Sequence, residues 1–165
     1  MIKAQQISYK HKEFHILNDV DVSLGFGEFL AIVGPNGAGK SSLLSVLANE
    51  VKTHHKILFK DKNISDWKVG ELSKHKAKFS QHNSNDIPLE VKDVVMMGRY
   101  GYLGPARRAR AADRIAVADA LERTGLSELA DRQIGQLSGG QRKRVFVARG
   151  IAQEARVMLL DEPFA

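Results

Sequence analysis

At 165 residues, with 43% hydrophobic and 27% charged side chains, the chain has an ordinary globular composition and is long enough for one domain, or one domain carrying an insertion. The absence of cysteine excludes disulfides and thiolate metal sites and fits a reducing compartment, and no apolar run is long enough to span a bilayer or form a signal-peptide core, so any membrane connection is expected to run through a partner. The net charge of +6 is spread along the chain, and its nearest approach to a cluster, Arg107, Arg108 and Arg110, reads as a solvated helix face rather than a nucleic-acid stripe.

Residues 2–8 and 14–24 alternate in the β manner, through Phe14, Ile16, Val20, Val22 and Leu24, and predict antiparallel strands. Tyr9 lies between them. It either packs at a sheet edge or stacks on a purine face, a contact worth about 1–3 kcal/mol. The apolar run Phe29 to Val33 predicts a buried strand, which leads into Gly34, Pro35, Asn36, Gly37, Ala38, Gly39, Lys40, Ser41 and Ser42. This is the G-x-x-x-x-G-K-S spacing of a P-loop. Its glycines let backbone N–H groups turn inward as an anion nest, and the helix opening near Gly39 aims its positive end at the same point. Lys40 supplies a point charge for the β- and γ-phosphates, and the Ser41 hydroxyl is placed to coordinate Mg²⁺ with phosphate oxygens.

The helix continues to Ala48 with Leu43, Leu44 and Leu47 on one face. Short strands follow at Lys56–Phe59 and Ala77–Gln81, the second delivering Gln81 to the carboxyl edge where α/β sheets carry ligand chemistry. From Pro88 to Gln136 the period becomes helical, first through Val91, Val94 and Val95, then through Ala111, Ile115, Ala118 and Leu121 to an end near Gly125. Leu137, Ser138, Gly139, Gly140 and Gln141 open the next helix, with Ser138 at the N-cap and two glycines exposing backbone N–H groups: a second anion-binding terminus. Val157 to Leu160 is an apolar strand with Asp161 and Glu162 at its end, the Walker B pattern. Asp161 is expected to hold Mg²⁺, directly or through water, and Glu162 to polarise the attacking water as general base.

With GPNGAGKSS, LSGGQ and MLLDEP in this order, the sequence resembles the nucleotide-binding subunit of ATP-binding cassette (ABC) transporters across essentially its whole length. The resemblance implies an α/β fold, a P-loop NTPase with an antiparallel β-subdomain (within 1–87, with the first part of the core), an inserted helical subdomain (88–140) and a signature helix with the Walker B strand (141–165). It also implies ATP and Mg²⁺ as cofactors, Tyr9 at the adenine and Gln81 as the Q-loop residue that senses Mg²⁺ and the membrane partner. ATP is expected between two such subunits, Gly34 to Ser41 of one facing Ser138, Gly139 and Gly140 of the other. The implied partners are a second ATP-binding subunit, transmembrane permease subunits and, indirectly, a substrate-binding protein, with no nucleic acid. The implied location is cytoplasmic, peripheral on the inner face of the cell membrane. DNA-maintenance ABC ATPases also carry LSGGQ, but they resemble a pattern with very long coiled coils before it, and no sustained heptads appear here.

Two departures from the family pattern shape the expectations. The chain ends at Ala165, directly after Walker B, and its six histidines all lie upstream, so the family's switch histidine and one central strand are missing from the sequence. Phe29–Val33 and Val157–Leu160 are then short of backbone partners, at about 1–3 kcal/mol for each buried unpaired group. The chain alone is expected to be partly folded or aggregation-prone and without significant ATPase. Secondly, residues 1–98 hold 13 Lys and no Arg, while 99–165 hold 11 Arg and 1 Lys. Since no fold requires such an exchange, two sources joined near Gly98, Arg99 and Tyr100 are the expectation. The first part looks like haem or iron-chelate importer ATPases and the second like manganese or zinc importer ATPases.

Overall fold

The computed structural model describes residues 1–51, 54–79, 88–104, 106 and 108–161, and it divides into two units, Met1–Val69 and Gly70–Ala165.

In the first unit a tight turn at Lys12 and Glu13, with Lys12 left-handed at φ 54°, joins β1 (Ile2–His11) to β2 (Phe14–Leu24) in an antiparallel hairpin. The pairing runs from Ile2 opposite Leu24 to His11 opposite Phe14 and is broken by irregularities after Ala4. Gln6 and Asp19 take left-handed φ there, and side chains accept their N–H groups: the Gln6 N–H donates to Asp21 Oδ1 at 2.7 Å and the Asp19 N–H to Ser8 Oγ at 3.0 Å. The helix α1 (Lys40–Leu47) buries Leu43, Leu44, Val46 and Leu47. Beyond it, β3 (Ile57–Phe59) pairs with the other edge of β1, and β4 (Lys62–Asn63) with β3, giving the order β2-β1-β3-β4. Ile2, Ala4, Ile57 and Phe59 fill one face of this sheet with the period of two, and Ile7, three residues beyond Ala4, is buried as well because the register shifts between them. Trp67 meets the Phe59 ring edge-on at 5.5 Å, and Lys62 Nζ lies 5.1 Å from the Trp67 ring centre.

The expected strand at Phe29–Val33 is not formed. Among the described residues no strand pairs with this segment, and Phe29 and Val33 are 88% and 90% exposed. An all-apolar central strand depends on hydrogen-bonding neighbours at its edges and cover on both faces. Hydropathy alone supplies neither.

The short helix α2 (Val69–Leu72) stands where the units divide. In the second unit β5 (Lys76–Phe79) and β6 (Val157–Leu160) form a parallel pair, Lys76 opposite Val157 through Phe79 opposite Leu160. The crossover between them carries α3 (Val91–Met96), α4 (Ala111–Arg123) and α5 (Gly139–Ala152). Val91, Val94, Val95, Val117, Ala120, Leu121, Val145 and Ala148 share one core. Gly125, left-handed at φ 64°, follows the end of α4, where the sequence placed a helix stop. Within this unit α3 and α4 bury their apolar faces against α5.

The buried face of α4 differs from the expected one. Leu121 is buried as expected, but Ile115 is 68% exposed, and Asp113, Val117 and Ala120 point inward with Leu121. These positions keep the i, i+4, i+7 spacing of a helix stripe, but it starts on a carboxylate, which hydropathy reads as surface.

The exchange of lysine for arginine near residue 99 lies inside this second unit. A Cβ on Gly98 would stand 2.2 Å from the Arg149 backbone oxygen, so the short turn Met97–Arg99 lies directly on the α5 backbone. Gly98→Ala is therefore expected to destabilise the unit by about 1–3 kcal/mol through overpacking, whereas Gly135→Ala, with open space at its Cβ, stays within about 0.5 kcal/mol of wild type. Urea titrations of both variants check this. Coincident midpoints for Gly98→Ala and wild type would disprove the close approach.

Candidate functional site

The glycine loop in the first unit has the backbone its residue types allow. Gly37 and Gly39 are left-handed, at φ 83° and 89°, which side-chain-bearing residues reach only with strain. Gly39 is also the N-cap of α1 and brings no side chain to cap the first turn of the helix. A Cβ on Gly39 would meet the Ile16 carbonyl oxygen at 2.9 Å and Leu17 Cδ2 at 3.2 Å. The loop thus sits on β2, and glycine is required there for space as well as for φ.

Lys40 folds its amino group over this loop, donating to the carbonyl oxygens of Gly34 and Pro35 at 2.9 Å each. The Ala38 N–H closes the turn onto the Pro35 oxygen at 3.2 Å. Gly34 to Ala38 and Ser41 are exposed, and Ser42 is half-buried. Two left-handed glycines, a helix N-terminus without a side-chain cap and the Lys40 ammonium beside it make a loop of the kind that takes a polyphosphate.

Tyr9 is joined to this cradle through the hairpin. It is half-buried and pairs across the strands with Leu17, the residue that touches Gly39. Its hydroxyl lies 3.5 Å from His11 Nδ1. The fold therefore brings the candidate base-stacking residue and the candidate phosphate loop to the same stretch of β2, a juxtaposition that sequence spacing alone does not require.

The second anion-binding terminus belongs to the second unit. The Ser138 Oγ accepts from the Gln141 N–H at 3.2 Å while the Ser138 N–H donates to Gln141 Oε1 at 2.9 Å, a reciprocal capping box. Gly139 and Gly140 are exposed with nothing near their Cβ positions, so an anion can approach the backbone at these two residues, while the Gln141 N–H is taken by the cap. Leu137 differs from its neighbours: it is 5% exposed and packed in the core, where it anchors the motif. The helix starts at Gly139, with Ser138 as its N-cap and the capping box organising its first turn.

Asp161 follows β6, half-buried, with its N–H donating to the Phe79 oxygen at 3.2 Å, so it sits at the carboxyl edge of the parallel pair. Glu162 and Gln81 lie outside the described residues. Among the described residues no three His, Asp or Glu side chains converge as a metal cluster. Mg²⁺ needs none, since it binds through one or two protein oxygens plus phosphates and water, and Ser41 and Asp161 are donors of the right kind. No described helix is long and apolar enough to cross a membrane.

Sequence reasoning gave no role to Arg99 and Asp113, which are the buried charged residues of the second unit, at 5% and 3% exposure. The only signal was that Arg99 is the first arginine in a chain that uses lysine until then.

The family model described as ABC transporter matches residues 17–165. The chain is 36% identical to the manganese transport system ATP-binding protein MntB of Halalkalibacterium halodurans, over 99% of this chain and 64% of that protein. It is 44% identical to the hemin import ATP-binding protein HmuV of Streptomyces coelicolor, over 91% of this chain and 53% of that protein. The crystal structure of a nucleotide-free ATP-binding cassette from an ABC transporter superposes with a TM-score of 0.85 at 26% identity, covering 99% of this chain and 69% of the other. The chain thus spans between about half and two thirds of the length of these curated relatives. Because the family match covers nearly the whole chain, and these relatives share more than a third of the aligned residues over nine tenths of its length or more, the chain belongs to the ABC transporter family.

Proposed function

We propose that this chain is the nucleotide-binding part of an ATP-driven importer subunit whose cargo is haem, an iron chelate or a divalent metal ion such as manganese. The observation that carries the reading is the P-loop cradle, with Gly37 and Gly39 left-handed, an uncapped α1 N-terminus and the Lys40 ammonium within it. In this reading the adenine stacks on Tyr9 and the phosphates enter the Gly34 to Ser42 loop. Lys40 then exchanges its two carbonyl partners for β- and γ-phosphate oxygens. Ser41, Gln81 and Asp161 are the residues that would hold Mg²⁺, which when bound would supply positive charge against the phosphates. Glu162 takes the proton of the attacking water, and Ser138, Gly139 and Gly140 of a second copy close the γ-phosphate from the other side. A site assembled from two copies links hydrolysis to their opening, the motion that a permease can use.

The cargo class is supported by the relatives, whose names specify manganese transport and hemin import. The subunit is then peripheral to the inner face of the cell membrane, working with permease subunits and a substrate-binding protein. Uptake into vesicles carrying the full-length subunit with its permease separates the cargoes. Radiolabelled manganese and haem are offered with and without internal ATP, and ATP-dependent accumulation of one identifies it. Accumulation of neither, by a complex that binds ATP, would remove the importer reading for these cargoes.

A further inference from the structure

The end of α5 remote from the signature is held by a buried knot of polar groups centred on Arg99. Its Nη1 donates to the carbonyl oxygen of Ala152, the last residue of α5, and to Glu154 Oε2, both at 2.7 Å. Its Nε donates to Asp113 Oδ1 at 3.1 Å, and the other oxygen of that carboxylate accepts the Arg110 N–H at 2.9 Å at the start of α4. The guanidinium carbon lies 3.8 Å from the centre of the Tyr102 ring. Tyr102 in turn donates its hydroxyl to the Gln153 oxygen at 3.1 Å and the Lys74 oxygen at 3.3 Å, while Gln153 Nε2 donates to the Ser73 oxygen and, at 3.0 Å, to the Lys76 oxygen. Burial, reinforced by the Glu154 charge, pushes the Tyr102 phenol above its usual pKa, so it keeps the proton it donates. One residue thus ties the C-terminal end of α5 to the start of α4, and through Tyr102 and Gln153 to the segment that begins β5.

We propose that Arg99 is a positioning residue for the signature: by fixing the far end of α5 it sets where Ser138, Gly139 and Gly140 present their N–H groups. This rests on the reading above, in which that terminus meets the γ-phosphate. The helix is a rigid lever of 14 residues, about 21 Å long, so a tilt of about 5° at Ala152 displaces the signature by about 2 Å. Misplacement by about 1 Å costs on the order of a hundredfold in rate where reacting groups must be aligned. The task also explains the residue type. Three hydrogen bonds in a plane, with a flat face against a phenol ring, are available to a guanidinium and not to the ammonium that serves as cation in residues 1–98.

The test uses the full-length subunit assembled with its permease, in wild type, Arg99→Lys, Tyr102→Phe and Val117→Ala. Val117 lies in the same core, buried one helical turn beyond Asp113, and its apolar side chain makes none of the hydrogen bonds of the knot, so it serves as a control for destabilisation alone. At a temperature where each variant is folded, Arg99→Lys is expected to lower the ATPase kcat at least about tenfold with ATP Kd within about twofold of wild type. Tyr102→Phe, which keeps the ring but not its two hydrogen bonds, lowers kcat about threefold and carries the test if Arg99→Lys does not fold. Val117→Ala is expected to lower Tm without changing kcat more than about twofold. Unchanged kcat in a folded Arg99→Lys, or an equal kcat loss in Val117→Ala, overturns the positioning role. A wild-type complex that neither binds nor hydrolyses ATP would instead remove the reading on which it rests.

Discussion

Lys40→Ala is expected to weaken Mg·ATP binding by about a hundredfold or more while leaving the fold intact. A hydrogen bond from a charged donor contributes about 1.5–3 kcal/mol, and Lys40 is placed to make two to the β- and γ-phosphates, so the loss is on the order of 3 kcal/mol or greater. The stability change is small because the groups Lys40 holds now, the carbonyls of Gly34 and Pro35, belong to exposed residues that water can satisfy. Calorimetric titration of ATP into both proteins, with a thermal melt of each, makes the comparison. Equal affinities would show that the cradle is not the nucleotide site, and a collapsed melt would show that Lys40 has a structural task.

Glu162→Gln is expected to lower ATPase turnover by a factor of about 10²–10⁴ while ATP affinity holds within about twofold, because the amide keeps the shape of the carboxylate but cannot accept the water's proton. The preceding Asp161 is anchored through its N–H on the Phe79 oxygen, a backbone bond that the substitution leaves untouched. Turnover by the assembled complex and ATP affinity of the subunit are measured together. Wild-type turnover in Glu162→Gln would move the base to another residue, and loss of affinity would make the carboxylate a binding group. The two substitutions thus separate along different axes: Lys40→Ala acts on binding and Glu162→Gln on chemistry.

The motifs were legible in the sequence because they act through local backbone geometry. Gly37 and Gly39 occupy the left-handed region that the loop needs, Ser138 and Gln141 form their capping box three residues apart, and Val91, Val94 and Val95 bury the face their spacing defines. Each involves groups within one turn of chain, so identity and spacing suffice. The juxtaposition of Tyr9 with the loop needed more: a hairpin register that sets Tyr9 opposite Leu17, and a loop that crosses back over Leu17. Three irregularities in that hairpin shift the pairing, and none is encoded as a turn signal.

What the sequence by itself determined is the family and the positions of its candidate phosphate-binding ends, since these rest on glycine conformations and helix caps set by neighbouring residues. What only the tertiary structure decided is which faces are inside. Asp113 is buried and Ile115 exposed because Arg99, 14 residues upstream, supplies the counter-charge that makes an inward carboxylate affordable. Phe29 to Val33 is apolar and yet uncovered among the described residues, because a strand is made by its neighbours rather than by its own hydropathy. The exchange of lysine for arginine falls within one packed unit, because Gly98, Arg99 and Tyr102 are bound to groups far away in the chain, at Lys74, Arg149 and Ala152. Local physics wrote the motifs; long-range pairing of charges and strands chose the core.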